Sequence, residues 1–90
     1  MNFELTERGY ELMKDGQSIA RIVWHMEDDV MQVTGTYTDE SLRGQGIAGK
    51  LVDAAVEYAR AHNYKMKAIC PYVVKKFEDA KYDDVNVEAK

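Results

Sequence analysis

The order of patterns along this chain predicts an α+β fold: a mostly antiparallel sheet with a parallel β-α-β crossover, one main helix and a short C-terminal helix. Three observations predict it. The first half alternates apolar and polar residues between tight reversals at Asp15-Gly16 and Glu27-Asp28-Asp29, as an antiparallel meander does. A glycine-rich stretch, Leu42 to Val52, then runs into a helical apolar stripe. One further alternating segment follows the helix and stops at Pro71.

Asn2 to Glu7 sets Phe3 and Leu5 against polar neighbours, and Tyr10 to Lys14 continues with Tyr10 and Leu12, so two strands frame the Asp15-Gly16 turn. Ser18 to Met26 carries Ile19, Val23 and Trp24 as a longer strand. Beyond the acidic reversal, Val30 to Tyr37 forms the next, with Val33 central. Thr38 to Gln45 is a loop. Ile47, Leu51, Val52, Ala55, Val56 and Ala59 then recur at the spacing of a helix packed on a sheet, ending near His62-Asn63. Tyr64 to Cys70 places Met66, Ala68 and Cys70 on one face and Ile69 on the other, and its link to the Val30 strand through the helix predicts a parallel, right-handed crossover. Tyr72 to Phe77 follows Pro71 as a short helix, and an acidic tail completes the chain.

The loop before the helix carries the strongest chemical signal. The first amides of a helix lack intrahelical acceptors, and aligned peptide dipoles leave partial positive charge there, so such a tip binds phosphate oxygens. Gly44, Gly46, Ala48 and Gly49 keep side chains out of a ligand's path, and Arg43 offers a charge-assisted contact or a brace for the loop. The residues expected to hold a cofactor are Arg43, Gly44, Gln45, Gly46, Ile47, Ala48, Gly49 and Lys50. Two other phosphate loops fit worse. The Walker pattern needs Gly-Lys-Ser/Thr, and Gly49-Lys50-Leu51 lacks the hydroxyl; the dinucleotide pattern needs an acidic residue after the next strand, which ends at Ile69-Cys70.

Composition limits what surrounds this loop. Ninety residues fit one domain spanning 1–90, and a hydrophobic share of 46% suits a packed core. The net charge of -4 argues against nonspecific nucleic-acid binding, which needs phosphate neutralisation. Charge is uneven, however. No carboxylate lies between Glu57 and Glu78, while Arg60, Lys65, Lys67, Lys75 and Lys76 do, so either an anionic ligand is attracted there or the window is a solvated basic face. One cysteine, Cys70, allows no internal disulfide and fits a reducing, cytoplasmic setting. Neither a signal peptide nor a membrane span is expected.

The spacing Arg43-x-x-Gly46-x-Ala48 resembles the acyl-CoA loop of the GNAT-type N-acetyltransferases, where arginine or glutamine is followed at this interval by glycine and then glycine or alanine. With Cys70-Pro71-Tyr72-Val73-Val74-Lys75-Lys76-Phe77, the likeness extends over nearly the whole chain, to the small single-domain GNAT-like proteins that carry a Cys-x-Tyr-Val segment here. It departs from them at Gly35-Thr36 and Asp39, where that group has a histidine-threonine pair and a proline. The resemblance implies acetyl-CoA or coenzyme A as cofactor, its diphosphate on the amides around Gln45 to Gly49, its pantetheine arm between splayed strands, and its thioester near the end of the last strand. It also implies transfer of acetyl to an unidentified primary amine, on a small molecule or a protein; the chain is expected to be a monomer or weak homodimer, and its charge and lack of an apolar span predict neither nucleic acid nor membrane as partner.

Amine acetylation needs a base for the ammonium, a donor for the tetrahedral oxyanion and a proton for the departing thiolate. Cys70, which the resemblance places near the thioester, is the first candidate: a thiol there takes the acetyl group covalently or protonates the leaving thiolate, unless it is a packed core thiol. Tyr37 and Glu40 are weaker candidates, the ordinary alternatives being a rim aromatic and a solvated carboxylate. His25 fits a solvent-facing strand position and His62 a helix C-terminus. No metal-ligand spacing or serine–histidine–carboxylate set stands out. A noncatalytic acyl-CoA-binding module is the rival function, and a domain whose loop only packs the helix is a third.

Overall fold

The computed structural model describes residues 2–89 and shows one five-stranded sheet whose spatial order, β1-β2-β3-β4-β5, is also its sequence order. Short reversals produce that order. β1 (Glu4–Leu5) and β2 (Gly9–Lys14) are antiparallel, and β2 returns as β3 (Gln17–Glu27) through Asp15 and Gly16, with φ of 52° and 79°. Two consecutive left-handed residues are what a two-residue hairpin matched to strand twist requires. β3 reverses through Asp28-Asp29 into β4 (Val30–Thr38), and β4 pairs parallel with β5 (Lys65–Ala68), from Val30↔Lys65 to Val33↔Ala68.

The crossover between those parallel strands is α1 (Ile47–His62). Its apolar stripe, Ile47, Leu51, Val52, Ala55, Val56 and Ala59, is buried with Ala20, Ile22, Trp24, Met31, Val33 and Met66 in one core. Burying one such aliphatic side chain contributes about 1.5–3 kcal/mol, so the stripe holds the helix on the sheet far more firmly than helix propensity does. Asn63, left-handed at φ 59°, ends the helix and sends its N–H back to the carbonyls of Ala59 and Arg60. Pro71 then opens α2 (Pro71–Lys76), where its missing N–H costs nothing.

Two features go beyond the sequence expectation. On β3 the core face is Ala20, Ile22 and Trp24, while Ile19 and Val23 lie half-buried on the opposite face. The apolar run Ile22-Val23-Trp24 conceals its own phase; packing decides it, since Trp24 lies against Tyr10 and Tyr58 with ring centroids 5.8 and 5.5 Å away. The acidic tail is also docked. Tyr82 and Val85 are buried, Phe77 stacks on Tyr82, and main-chain bonds from Met66 N–H to Val85 (2.6 Å) and from Val87 N–H to Met66 (3.0 Å) lay the tail along the β5 edge. Charge assists. Asp84 accepts from Arg60 at 2.8 and 3.0 Å, and Lys65 Nζ donates to the Asp84 carbonyl.

Candidate functional site

A bulge in β4 aims the side chains that matter. Val23 lies opposite Gly35 and Trp24 opposite Val33, so Thr34 has no partner on β3. The extra residue reverses the alternation: Met31 and Val33 point to the core before it, and Thr36 and Thr38 share the face of Ile22 and Ala20, their cross-strand partners, after it.

At the same level β5 leaves β4. Pairing ends at Val33↔Ala68, and the N–H groups of Ile69 and Cys70 both donate to the Val33 carbonyl at 3.0 Å. Beyond that shared acceptor, no β5 residue pairs with Thr34 to Thr38. The two strands therefore open into a wedge. Cys70 stands at its apex, 7% exposed, with Sγ 3.6 Å from Thr36 Oγ1. Thr36 is thus a polar neighbour of the thiol that sequence reasoning did not single out, and only the bulge reveals it.

The glycine-rich loop lies on the same face. Asp39 caps a 3₁₀ turn, Glu40–Leu42, by accepting from Ser41 N–H at 2.9 Å, which holds its own carboxyl below the usual range. Arg43 N–H closes onto Glu40 and Gln45 N–H onto Leu42, at 3.1 and 3.3 Å. Gly46, at φ 71°, then takes the N-cap position with no side chain to cap the helix. The first helical bond is Lys50 N–H to the Gly46 carbonyl, so the amides of Gly46, Ile47, Ala48 and Gly49 have no acceptor among the described residues. Gln45 was expected to contribute its amide, but that N–H is already bonded within the loop. A concavity of about 220 Å³ lies over this tip, lined by Thr38, Leu42, Arg43, Gly44, Gly46, Ile47, Ala48 and Tyr72.

Charge around the tip runs against the usual preference. Helix N-termini favour carboxylates, yet the first turn of α1 has none. Arg43 lines the concavity, Lys50 follows Gly49 in α1 and Lys76 lies against Gly49, and none of them has a carboxylate within 4.0 Å among the described residues. Lys76 and Tyr72 come from α2 and overhang Gly49, where a β-carbon would lie 3.2 Å from Lys76 Nζ and 3.6 Å from the Tyr72 hydroxyl. Sequence reasoning included Lys76 only as one charge in an acid-free window. That window forms no single patch, since Arg60 and Lys65 are bound to the tail and Lys67 alternates with buried Met66 onto the opposite sheet face.

The other candidates lie elsewhere. Tyr37 is 43% exposed on the face opposite Thr36, its ring under the Arg21 guanidinium with Cζ 4.6 Å from the centroid. Glu40 is exposed on the 3₁₀ turn. His25 is exposed beside Glu27, and His62 Nδ1 lies 2.8 Å from the Tyr58 carbonyl at the far end of α1. No group of three or more potential metal ligands occurs among the described residues. None of their helices is long and apolar enough to cross a membrane.

Comparison with known proteins agrees with this geometry. A family model described as GCN5-related N-acetyl-transferase matches residues 9–85. Among solved structures, the NMR solution structure of a GCN5-like protein from Staphylococcus aureus, described there as a candidate N-acetyltransferase, is similar over 99% of this chain and 90% of that one, with a TM-score of 0.80 and 25% identity. No curated protein matches.

Proposed function

Because the chain belongs to the GCN5-related N-acetyltransferase family, we propose that it binds acetyl-CoA at the tip of α1 and transfers the acetyl group to a primary amine. The observation that carries this reading is the row of unbonded amides from Gly46 to Gly49, open to a concavity on the face that also bears Thr36 and Cys70. Such a row supplies several donors to one diphosphate with no rearrangement, which keeps the ordering cost of binding low.

The wedge between β4 and β5 suits the rest of the cosubstrate. Along its β4 wall, Thr34 to Thr38 pair with no residue of β5, which leaves main-chain groups that can bond to the amides of a pantetheine arm, and it leads from the α1 face toward Cys70. Two roles fit the thiol. Either Cys70 attacks the thioester carbonyl, its proton passing to the coenzyme sulfur as that bond breaks, and the neutral amine then takes the acetyl group from Cys70, its surplus proton returning to the freed thiolate, or Cys70 gives its proton to the departing thiolate while the neutral amine attacks directly and its surplus proton restores the thiol. Thr36, in hydrogen-bond range of Sγ, can hold the thiol in either role. Tyr37 is not assigned a role, because it faces away from this side of the sheet.

Amide-shift titration with acetyl-CoA, followed by intact-mass measurement, tests the proposal. Shifts should centre on Gly44 to Lys50, and a mass gain of one acetyl group that disappears in Cys70→Ala identifies the covalent route. Unmoved resonances in that stretch at saturating acetyl-CoA would overturn the site. Binding there with no transfer to any amine, and no S-acetyl adduct, would instead favour a noncatalytic acyl-CoA-binding module.

A further inference from the structure

We propose that the acceptor amine enters from the sheet face opposite the helices, over Gly35, and that Arg21 on that face binds a carboxylate carried by the acceptor. The substrate class is then a linear ω-amino carboxylate. This assignment rests on the acetyl-transfer reading above and deepens it by naming the acceptor.

Access decides the face. α1 and α2 both bury residues in the core on the side of Thr36 and Cys70, where the cosubstrate is proposed to lie, so that side of the wedge is taken. The reverse side is bare at Gly35. A β-carbon there would meet no atom within 4 Å, and Gly35 stands between Thr36 and the bulge, on the part of β4 that β5 leaves unpaired. An amine passing over Gly35 therefore reaches the gap at the level of Thr36 and Cys70.

The side chain next to that opening is an arginine with nothing to bind. Arg21 lies between Glu11 on β2 and Tyr37 on β4, its cross-strand partners. An arginine directly across from a carboxylate ordinarily pairs with it. Here Glu11 is already held by Arg8 and Thr6, each at 2.6 Å, and the Arg21 guanidinium turns the other way, over the Tyr37 ring. Its hydrogen bonding among the described residues is one long contact, Nη1 to Ser18 Oγ at 3.4 Å, and no carboxylate lies within 4.0 Å. Nε and Nη2 are left over, on a group that the aromatic ring holds in place. A guanidinium so fixed can take a carboxylate at little ordering cost. Tyr37, which faces away from the thiol, thus acts on the acceptor side as the support of Arg21.

The other charges of this face agree. Lys67, opposite Gln32, is a second cation near the wedge, whereas Glu27 sits beside His25 at the far end of β3 and Glu4 lies on β1, two strands beyond Arg21. Such a face disfavours polyamines and lysine-rich peptides and favours an amine with an anionic far end. Spacing sets the length. Gly35 and Tyr37 are two residues apart on β4, about 7 Å along the strand. Three bonds of extended chain advance about 3.8 Å, so about six bonds separate amine from carboxyl carbon. An α-amino group is too close to its own carboxylate to span that distance.

The test is acetyl transfer from acetyl-CoA to 6-aminohexanoate, hexylamine and glycine by wild type, Arg21→Met and Arg21→Lys, with acetyl-CoA affinity measured by calorimetry and folding by thermal melts. Wild type should acetylate 6-aminohexanoate with a kcat/KM about tenfold above that for hexylamine or glycine. In Arg21→Met the preference over hexylamine should shrink about tenfold, through KM rather than kcat, because the contact is made equally in ground and transition states. Arg21→Lys, which keeps the charge without the fork, should fall between the two. Equal kcat/KM for 6-aminohexanoate and hexylamine in wild type, or an undiminished preference in folded Arg21→Met, would overturn the carboxylate subsite while acetyl-CoA binding stands. Transfer to glycine as fast as to 6-aminohexanoate, or acetyl-CoA binding with transfer to none of the three, would overturn it as well. If wild type does not bind acetyl-CoA, the subsite and the underlying reading fall together.

Discussion

Replacing Gly49 with alanine should separate stability from binding, because the two effects have opposite signs. Gly49 has ordinary helical backbone geometry, since its φ is not among the positive ones. Alanine in a helix is favoured over glycine by about 0.8–1 kcal/mol in the interior, and by roughly half that in a first turn. The new methyl would meet Lys76 Nζ at 3.2 Å and Cε at 3.5 Å, which is tight, but these atoms are the free end of a flexible side chain and can withdraw by a few tenths of an ångström. The net expectation is a gain of about 0.5 kcal/mol, or a rise in Tm of about 2–4 °C for a domain of this size. The same methyl stands beside the Gly49 amide, one of the unbonded donors proposed to hold the diphosphate. Acetyl-CoA affinity should therefore drop about tenfold, equivalent to about 1.4 kcal/mol. Scanning calorimetry with and without acetyl-CoA measures both, because a ligand that binds only the folded state raises Tm by an amount that grows with the logarithm of its affinity. A variant that melts higher and binds acetyl-CoA as tightly as wild type would refute the placement of phosphate at this turn. A variant that melts several degrees lower would refute the packing argument.

Three further outcomes follow from the same structure. Gly46→Glu should still unfold cooperatively but lose about 1–2 kcal/mol, because φ 71° forces a β-carbon into the left-handed region, and acetyl-CoA should no longer shift any amide, since a carboxylate then occupies the tip. The carboxyl of Glu11, 4% exposed, is held below its usual value by hydrogen bonds from Ser18 and Thr6 and by Arg8. Its folded pKa lies below the unfolded one, so its contribution is complete above about pH 4.5 and fades as pH falls through the folded value; Glu11→Gln should be less stable at neutral pH by about 1–3 kcal/mol and should flatten the acid limb of a stability–pH curve. Burial and the 2.6 Å bond to Asp53 push the Tyr82 phenol from 10.0 to about 12, so the folded state retains a proton that the unfolded chain has lost. Stability should decline between pH 10 and pH 12, and Tyr82→Phe, followed by urea titration at several pH values, should abolish that decline.

Most of the scaffold was legible because it is written in local signals. Asp15-Gly16 and Asp28-Asp29 are turns by their own backbone preferences, Asn63 and Pro71 mark helix boundaries, and the stripe from Ile47 to Ala59 repeats at the helical period. The glycine-rich turn into α1, the proposed phosphate loop, was legible for the same reason, since Gly46 acts through its own main chain. What stayed hidden depends on contacts distant in sequence. The face of β3 is chosen by Trp24 packing on Tyr58, more than thirty residues away, and Ile22-Val23-Trp24 looks equally apolar in either phase. The docking of the acidic tail was not legible because its anchors, Arg60 and Met66, lie on α1 and β5.

The hidden part of the site has the same cause, and it bears on how the chemistry is built. A bulge at Thr34 has no sequence signature as plain as a glycine turn, yet it alone turns Thr36 toward Cys70 and Thr38 toward the loop. Lys76 belongs to a run of lysines that looks like any solvated surface until the turn at Pro71 folds α2 back over Gly49. Cys70 is the N-cap of α2, at the proposed thioester end, and Tyr72 in its first turn lines the concavity over the α1 tip, at the proposed diphosphate end. The short helix therefore touches both ends. A substitution that shifts α2, such as Val73→Ala beneath it, should lose about 1–3 kcal/mol of stability through the cavity it leaves. It should also weaken acetyl-CoA binding by more than that loss would suggest for a residue that touches no ligand. Equal affinity in a folded Val73→Ala protein would show that the two ends act independently.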